Sequence, residues 1–174
     1  MIISVEELKQ YIKTTDTDAM LEAKLRALEL SIRGYTNNNF QQRSIRTVCP
    51  VMAQKLYTAY PHLQVGDTVQ ISQSIFNDGV YTIKGIADGY IELDKKLLDE
   101  NQVLVTKVEY PADVKMGVVN MLKWDMENRK KVGIQSETIS RHSVTYFNMD
   151  GDNSTIGYPK TLVGFLKPYK KARF

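Results

Sequence analysis

The sequence predicts an α+β protein, a mainly helical core of about four helices into which a small antiparallel β-barrel-like module is inserted. Three observations predict it. Apolar residues recur at helical spacing over residues 4–36 and again over 111–174. Between them, from Ile45 to Tyr110, the period shifts to two and the composition to Val, Ile, Thr and Tyr. Each helical block is too small to bury its own apolar stripe, so the two must close on one another or on neighbouring subunits. The expected division is therefore 1–44 for an N-terminal helix pair and 45–110 for the inserted β-module. Residues 111–174 supply a helix, an extended segment, a short helix and a basic tail that complete the core.

In order along the chain, Ser4 and Glu7 form an S-x-x-E capping box, so a first helix is expected from Val5 to about Lys13 with Val5, Leu8, Tyr11 and Ile12 inward. The TTDTDA stretch breaks it and offers Asp16 or Thr17 as the next N-cap. Leu21, Leu25, Leu28, Ile32 and Tyr35 then mark a single seam at helical spacing. Ala23, Ala27 and Leu30 lie off that seam, and either widen one core face or make a second contact.

The β segments are VGDTVQI, GVYTIKGI, GYIEL and QVLVTKVEY, separated by Asn77-Asp78-Gly79 and Asp88-Gly89 turns, which predicts two hairpins. Tyr110-Pro111 closes the module, and Pro111 opens a helix as its first residue. Its apolar face is Val114, Val118, Met121 and Leu122, with Asp125 on the same side and Trp124 and Met126 flanking; Arg129, Lys130, Lys131 and Gly133 mark its end. IQSETISRHSVTYFNMDGDNSTIG reads as an extended stretch in which Ile139, Val144, Tyr146 and Phe147 suit an added strand. A last helix is expected from Pro159 to about Lys167, halted by Pro168.

Composition excludes several function classes. Of the 174 residues 43% are hydrophobic and 25% charged, as in a folded soluble domain, so neither wholesale disorder nor a membrane partner is expected. The opening MIISVEELKQ lacks an export signal, and the one cysteine, Cys49, fits a reducing compartment. His62 and His142 have no nucleophile at a fixed spacing, so no enzyme is expected. Asp150-Gly151-Asp152 lacks the Gly and Glu of a calcium loop, and no phosphate-cradling glycine motif occurs, so neither metal nor cofactor is expected.

Charge is uneven. Residues 1–110 hold 12 Lys and Arg against 14 Asp and Glu, whereas 111–174 hold 11 against 6. The basic surplus is densest in KPYKKARF, which is either a solvated tail or an anchor for an acidic protein surface or a phosphate backbone.

Three stretches resemble the head-tail connector, or head-completion adaptor, proteins of tailed bacteriophages. They are VEELKQYIKTTDTDAMLEAKLRALELSIRGYTNNNFQ, YPADVKMGVVNMLKWDMENRKKVGIQSETISRHSVTY and YPKTLVGFLKPYKKARF. The pattern comprises a helix pair ending in Tyr35-Thr36 with Phe40 shortly after, then a Pro-initiated helix with a basic end leading to S-E-T-I. Compact members of that family join their second and third helices by a much shorter connection, so residues 45–110 are an elaboration.

The resemblance implies a structural virion protein in the neck between capsid and tail, present in the host cytoplasm during assembly. It would form a ring of about twelve copies under the portal vertex. There it would extend the channel through which packaged DNA passes without sequence recognition, and offer a platform to the stopper or tail-completion protein. On this reading portal docking falls to Lys167, Tyr169, Lys170, Lys171, Arg173 and Phe174. Subunit contacts fall to Leu21, Leu25, Leu28, Ile32, Ile139, Val144 and Tyr146. The alternatives are a nucleic-acid-binding module that uses the basic C-terminal third, or another neck protein such as a stopper or tail-completion protein.

Overall fold

The computed structural model describes residues 1–129 and 152–172, and the backbone of 136–139 and 142–145. The chain divides into two compact units, one of Met1 with Asn39–Tyr110 and one of Ile2–Asn38 with 111–174.

The first unit is a six-stranded antiparallel sheet. Its strands are β1 (Gln41–Met52), β2 (Lys55–Leu56), β3 (Thr68–Ser72), β4 (Gly79–Ala87), β5 (Tyr90–Leu93) and β6 (Glu100–Val108). They run in the order β1-β2-β5-β4-β3-β6, and β6 pairs back onto β1, so the ladder forms a closed barrel. Inward residues alternate along each strand and meet in a core that includes Cys49, Val51, Leu56, Val69, Ile71, Ile83, Ile91, Val103 and Val105. Two turns set the hairpins. Asp88-Gly89 joins β4 to β5 with Gly89 at φ +85°, and Ala53-Gln54 joins β1 to β2 with both residues left-handed at φ 49° and 65°. The ends of the unit adjoin, since Gln41 pairs with Val108 and the Glu109 N–H donates to the Phe40 carbonyl at 2.9 Å.

The second unit holds α1 (Val5–Tyr11), α2 (Asp18–Thr36), α3 (Ala112–Asn128) and α4 (Lys160–Val163), the last running into a 3-10 helix at Gly164–Tyr169. Two short hairpins accompany them, β7 (Ser136–Ile139) with β8 (His142–Thr145) and β9 (Ser154–Thr155) with β10 (Tyr158–Pro159). Ser4 caps α1 through the Glu7 N–H at 3.1 Å, and of the two candidates for α2 it is Thr17 that caps, through the Met20 N–H. The unit's buried residues include Leu8, Leu21, Leu25, Ile32, Val114, Val118, Met121, Leu122 and Leu166. Gly117 of α3 allows the closest approach. A Cβ there would fall 2.2 Å from the Phe165 ring.

The expectation of a mainly helical core is overturned. The dominant sheet is six-stranded and carries its own core, and the described residues beside it form four helices, of which two span only 7 and 4 residues. The physical reason is β1, the longest strand, which pairs with β6 along its length and turns two apparent hairpins into one continuous ladder. The sheet unit also begins at Asn39 rather than Ile45. Smaller corrections follow the same logic of competing contacts. Tyr11 is exposed, and buried Thr36, bonded to the Ile32 carbonyl at 2.7 Å, replaces Tyr35 at the end of the α2 seam. Pro111 is the N-cap rather than the first helical residue of α3, whose end comes at Asn128; Lys130, Lys131 and Gly133 lie outside the described residues. The segment read as one added strand instead pairs with itself as β7 and β8. Pro168 does not halt the last helix but sits inside the 3-10 turn that continues it.

Candidate docking surfaces

The basic C-terminal segment is built onto the end of α2. Asn37 takes a left-handed conformation at φ 49° and terminates α2, which leaves carbonyls of the last turn to be satisfied from outside the helix. The Lys171 N–H donates to the Thr36 carbonyl at 2.8 Å, Asn37 Nδ2 to the Ala172 carbonyl at 2.9 Å, and Asn38 Nδ2 to the Tyr169 carbonyl at 3.1 Å. Lys170 Nζ lies 3.9 Å above the Tyr35 ring. Cations at a helix C-terminus meet the negative end of its dipole, so this placement is favourable. From the other side the Tyr169 hydroxyl donates to both carboxylate oxygens of Asp113, in the first turn of α3, at 2.8 and 2.9 Å. That hydrogen bond is the main cause raising the Tyr169 pKa above its ordinary value.

Lys167, Lys170 and Lys171 are exposed on this fixed backbone and Tyr169 is half-buried, whereas Arg173 and Phe174 lie outside the described residues. Leu21, Leu25, Leu28 and Ile32 are a different case. All four are buried within the chain's own core, which leaves them no surface to offer another subunit, and their assignment to a subunit interface is corrected accordingly. Of the other proposed interface positions, Ile139 and Val144 fall in β7 and β8, and Tyr146 lies outside the described residues.

The sheet unit presents a second surface, which sequence reasoning missed. The loop joining β3 to β4 carries Ile75 and Phe76, 81% and 63% exposed, and Leu98 at 61% lies in the segment before β6. Glu100 organises them. Its Oε1 accepts the Ile75 N–H at 2.7 Å, and its Oε2 accepts the Ser74 hydroxyl at 2.5 Å and Asn77 Nδ2 at 3.0 Å. Asn77 in turn exchanges two 2.8 Å bonds with the backbone of Leu98, and the Tyr81 hydroxyl donates to the Asn77 carbonyl. The bond from Ser74, followed by that from the Ile75 N–H, holds the Glu100 carboxyl below the usual range. The polar types in SQSIFNDG signalled a turn, but the carboxylate that fixes it is 25 residues away from Ile75.

Among the described residues no group of three or more His, Cys, Asp or Glu comes together as a metal site, and no helix is long and apolar enough to cross a membrane. A polar groove of about 630 Å³ lies between Lys13–Asp16, Lys24 and the end of α3, but two of its cations are already paired, Lys24 with Asp16 and Arg129 with Asp125. Cys49 sits in the sheet core, where burial pushes its thiol up to about 11 and so keeps it protonated and unreactive at neutral pH. Comparison of the chain with protein-family models and with curated proteins found no match.

Proposed function

We propose that this chain is a structural protein of the tailed-phage neck, a head-tail connector that forms a ring under the portal vertex, extends the DNA channel and seats the stopper or tail-completion protein. One observation carries the reading. The three stretches that resemble connector proteins lie far apart in sequence, yet apart from a few residues at their ends they fall in one compact unit, and the elaborating strands fall in the other. Common spatial membership is what inheritance of one ancestral unit requires. The basic segment supports a docking role, because Lys167, Lys170 and Lys171 project from a backbone already ordered by α2, so less conformational entropy is lost on binding.

The test is attachment of the purified chain to DNA-filled, portal-bearing heads that lack a connector, observed by electron microscopy. Ring density below the portal is expected. The triple variant K167E/K170E/K171E should attach at least about tenfold more weakly, and raised salt should mimic part of that loss, because exposed charges are screened within about 10 Å at 0.1 M. Salt-dependent DNA binding with no affinity for portal-bearing heads would favour the nucleic-acid reading instead.

A further inference from the structure

We propose that the Asp88-Gly89 turn is a site of spontaneous covalent modification, where aspartate converts through a cyclic imide to isoaspartate, and that this conversion opens the sheet unit along β5. The chemistry needs an aspartate followed by a residue whose backbone nitrogen no side chain shields, which is glycine. The Gly89 nitrogen attacks Asp88 Cγ and forms a C–N bond, while the carboxyl OH and the amide proton leave as water. Water then reopens the ring at either carbonyl. Attack at Cγ restores aspartate. Attack at the main-chain carbonyl carbon breaks its bond to the Gly89 nitrogen and leaves the chain running through Asp88 Cγ, as isoaspartate. Water is the only co-reactant.

The structure separates two Asp-Gly pairs that the sequence presents alike; a third, Asp150-Gly151, lies outside the described residues. At Asp78-Gly79 the groups that must move are held. Asp78 Oδ1 accepts the Ser74 N–H at 3.0 Å, and the preceding Asn77 is buried and bonded through its side chain to Leu98 and Glu100. Gly79 pairs with Ile71, and the Tyr81 ring lies 3.2 Å from the position a Cβ would take there. At Asp88-Gly89 these restraints are missing. Both residues are exposed, the Asp88 carboxylate has no partner among the described residues, and Gly89, at φ +85°, has open space where a Cβ would stand. The topology makes this turn consequential. β5 has 4 residues and is the strand that joins β2 to β4, with Leu56↔Ile91 as its pairing to β2. Its pairing to β4 starts from Ala87↔Tyr90, directly across the turn, and a two-residue turn fixes the register. Isoaspartate inserts one more carbon into the main chain there, so Ala87 and Tyr90 no longer face each other. Tyr90 also carries Lys55 Nζ 4.0 Å above its ring, and Lys55 pairs with Glu92 at 2.8 Å, so displacing it loosens the β2 side as well.

Peptide mapping of the full chain after incubation in warm, mildly acidic heavy-oxygen water tests this, since each passage through the imide puts one heavy oxygen into the residue it returns. Asp88 should take up label at least about tenfold faster than Asp78, because at Asp78 a hydrogen bond to the carboxylate must break before reaction. Chromatography should resolve an isoaspartyl form of the Asp88 peptide. In urea, where the fold no longer holds Asp78, the two rates should converge. Uptake at Asp78 that matches Asp88 in the folded chain, or an excess at Asp88 that survives in urea, overturns the assignment. The effect on the sheet is read from thermal unfolding of wild type and of Asp88→Ser, which has no carbonyl to attack, before and after the same incubation in ordinary water. Asp150-Gly151 is present in both chains, so its ageing cancels. The midpoint should fall further in aged wild type than in aged Asp88→Ser, each measured against its own fresh sample. Equal falls overturn the opening of the sheet unit along β5.

Discussion

Tyr158 shows how one side chain closes the far end of α3. Its buried hydroxyl donates to Asp125 Oδ2 at 2.6 Å, the other oxygen of that carboxylate accepts Arg129 Nε at 2.7 Å, and the Trp124 ring meets the Tyr158 ring edge-on at 5.6 Å. Burial, and then the bond to Asp125, raise the Tyr158 pKa above its ordinary value. A raised folded-state pKa means that the folded form holds the proton more tightly. The stability this contributes is fully present below the unfolded value near pH 10 and is lost as pH rises from there through the folded value. Tyr158→Phe should cost about 1–3 kcal/mol at neutral pH, since the lost bond is to a charged acceptor. Urea unfolding between about pH 9 and pH 11 should show wild type losing stability faster than the variant; parallel slopes would mean that folding does not raise the phenol's pKa. Sequence reading placed Asp125 on the apolar face of its helix and Trp124 beside it. It could not supply the partner, because Tyr158 lies 33 residues away and nothing local to α3 announces it.

At the scale of elements, the segment after α4 is a strap rather than a loose tail. Its charges suggested an appendage, but what fastens it is mainly backbone, the Lys171 N–H and the Tyr169 and Ala172 carbonyls, and backbone groups are the same in every sequence. Removing residues 168–174 would strip partners from Thr36, Asn38 and Asp113, two of which are buried. Uncompensated buried polar groups cost about 1–3 kcal/mol each, so the truncation should destabilise the chain by about 2 kcal/mol or more. Thermal unfolding checks it, and an unchanged midpoint would return the segment to the status of a tail. The hairpin at Ala53-Gln54 was hidden for a related reason. Left-handed turns are expected at Asn-Gly or Asp-Gly, as at Asp88-Gly89, and Ala-Gln carries no such signature. β1 was obscured too, because bulges between Gln41 and Arg46 and between Cys49 and Val51 interrupt the alternation by which a strand is recognised.

For the molecule as a whole, the division into units is a statement about which residues need one another. The sheet core draws on residues within 45–105, and the unit's two chain crossings adjoin through the Phe40 carbonyl and the Glu109 N–H at 2.9 Å. Adjacent ends are what allow a domain to be inserted into, or removed from, another without straining it. Replacing residues 41–108 by a short Gly/Ser linker should therefore leave the helical unit folded, with a single cooperative transition followed by far-ultraviolet circular dichroism at the helical band. The cut differs from one drawn on sequence alone, which would begin at Ile45 and leave the start of β1 dangling. The excised piece should fold as well. A chain of residues 39–110 keeps all six strands and should unfold cooperatively by itself, although Met1, whose ammonium group donates to Thr68 Oγ1 at 2.7 Å, would be missing from it. If each piece instead loses its transition when separated, folding of the two units is coupled, and the sheet is part of the fold's foundation rather than a separable elaboration of it.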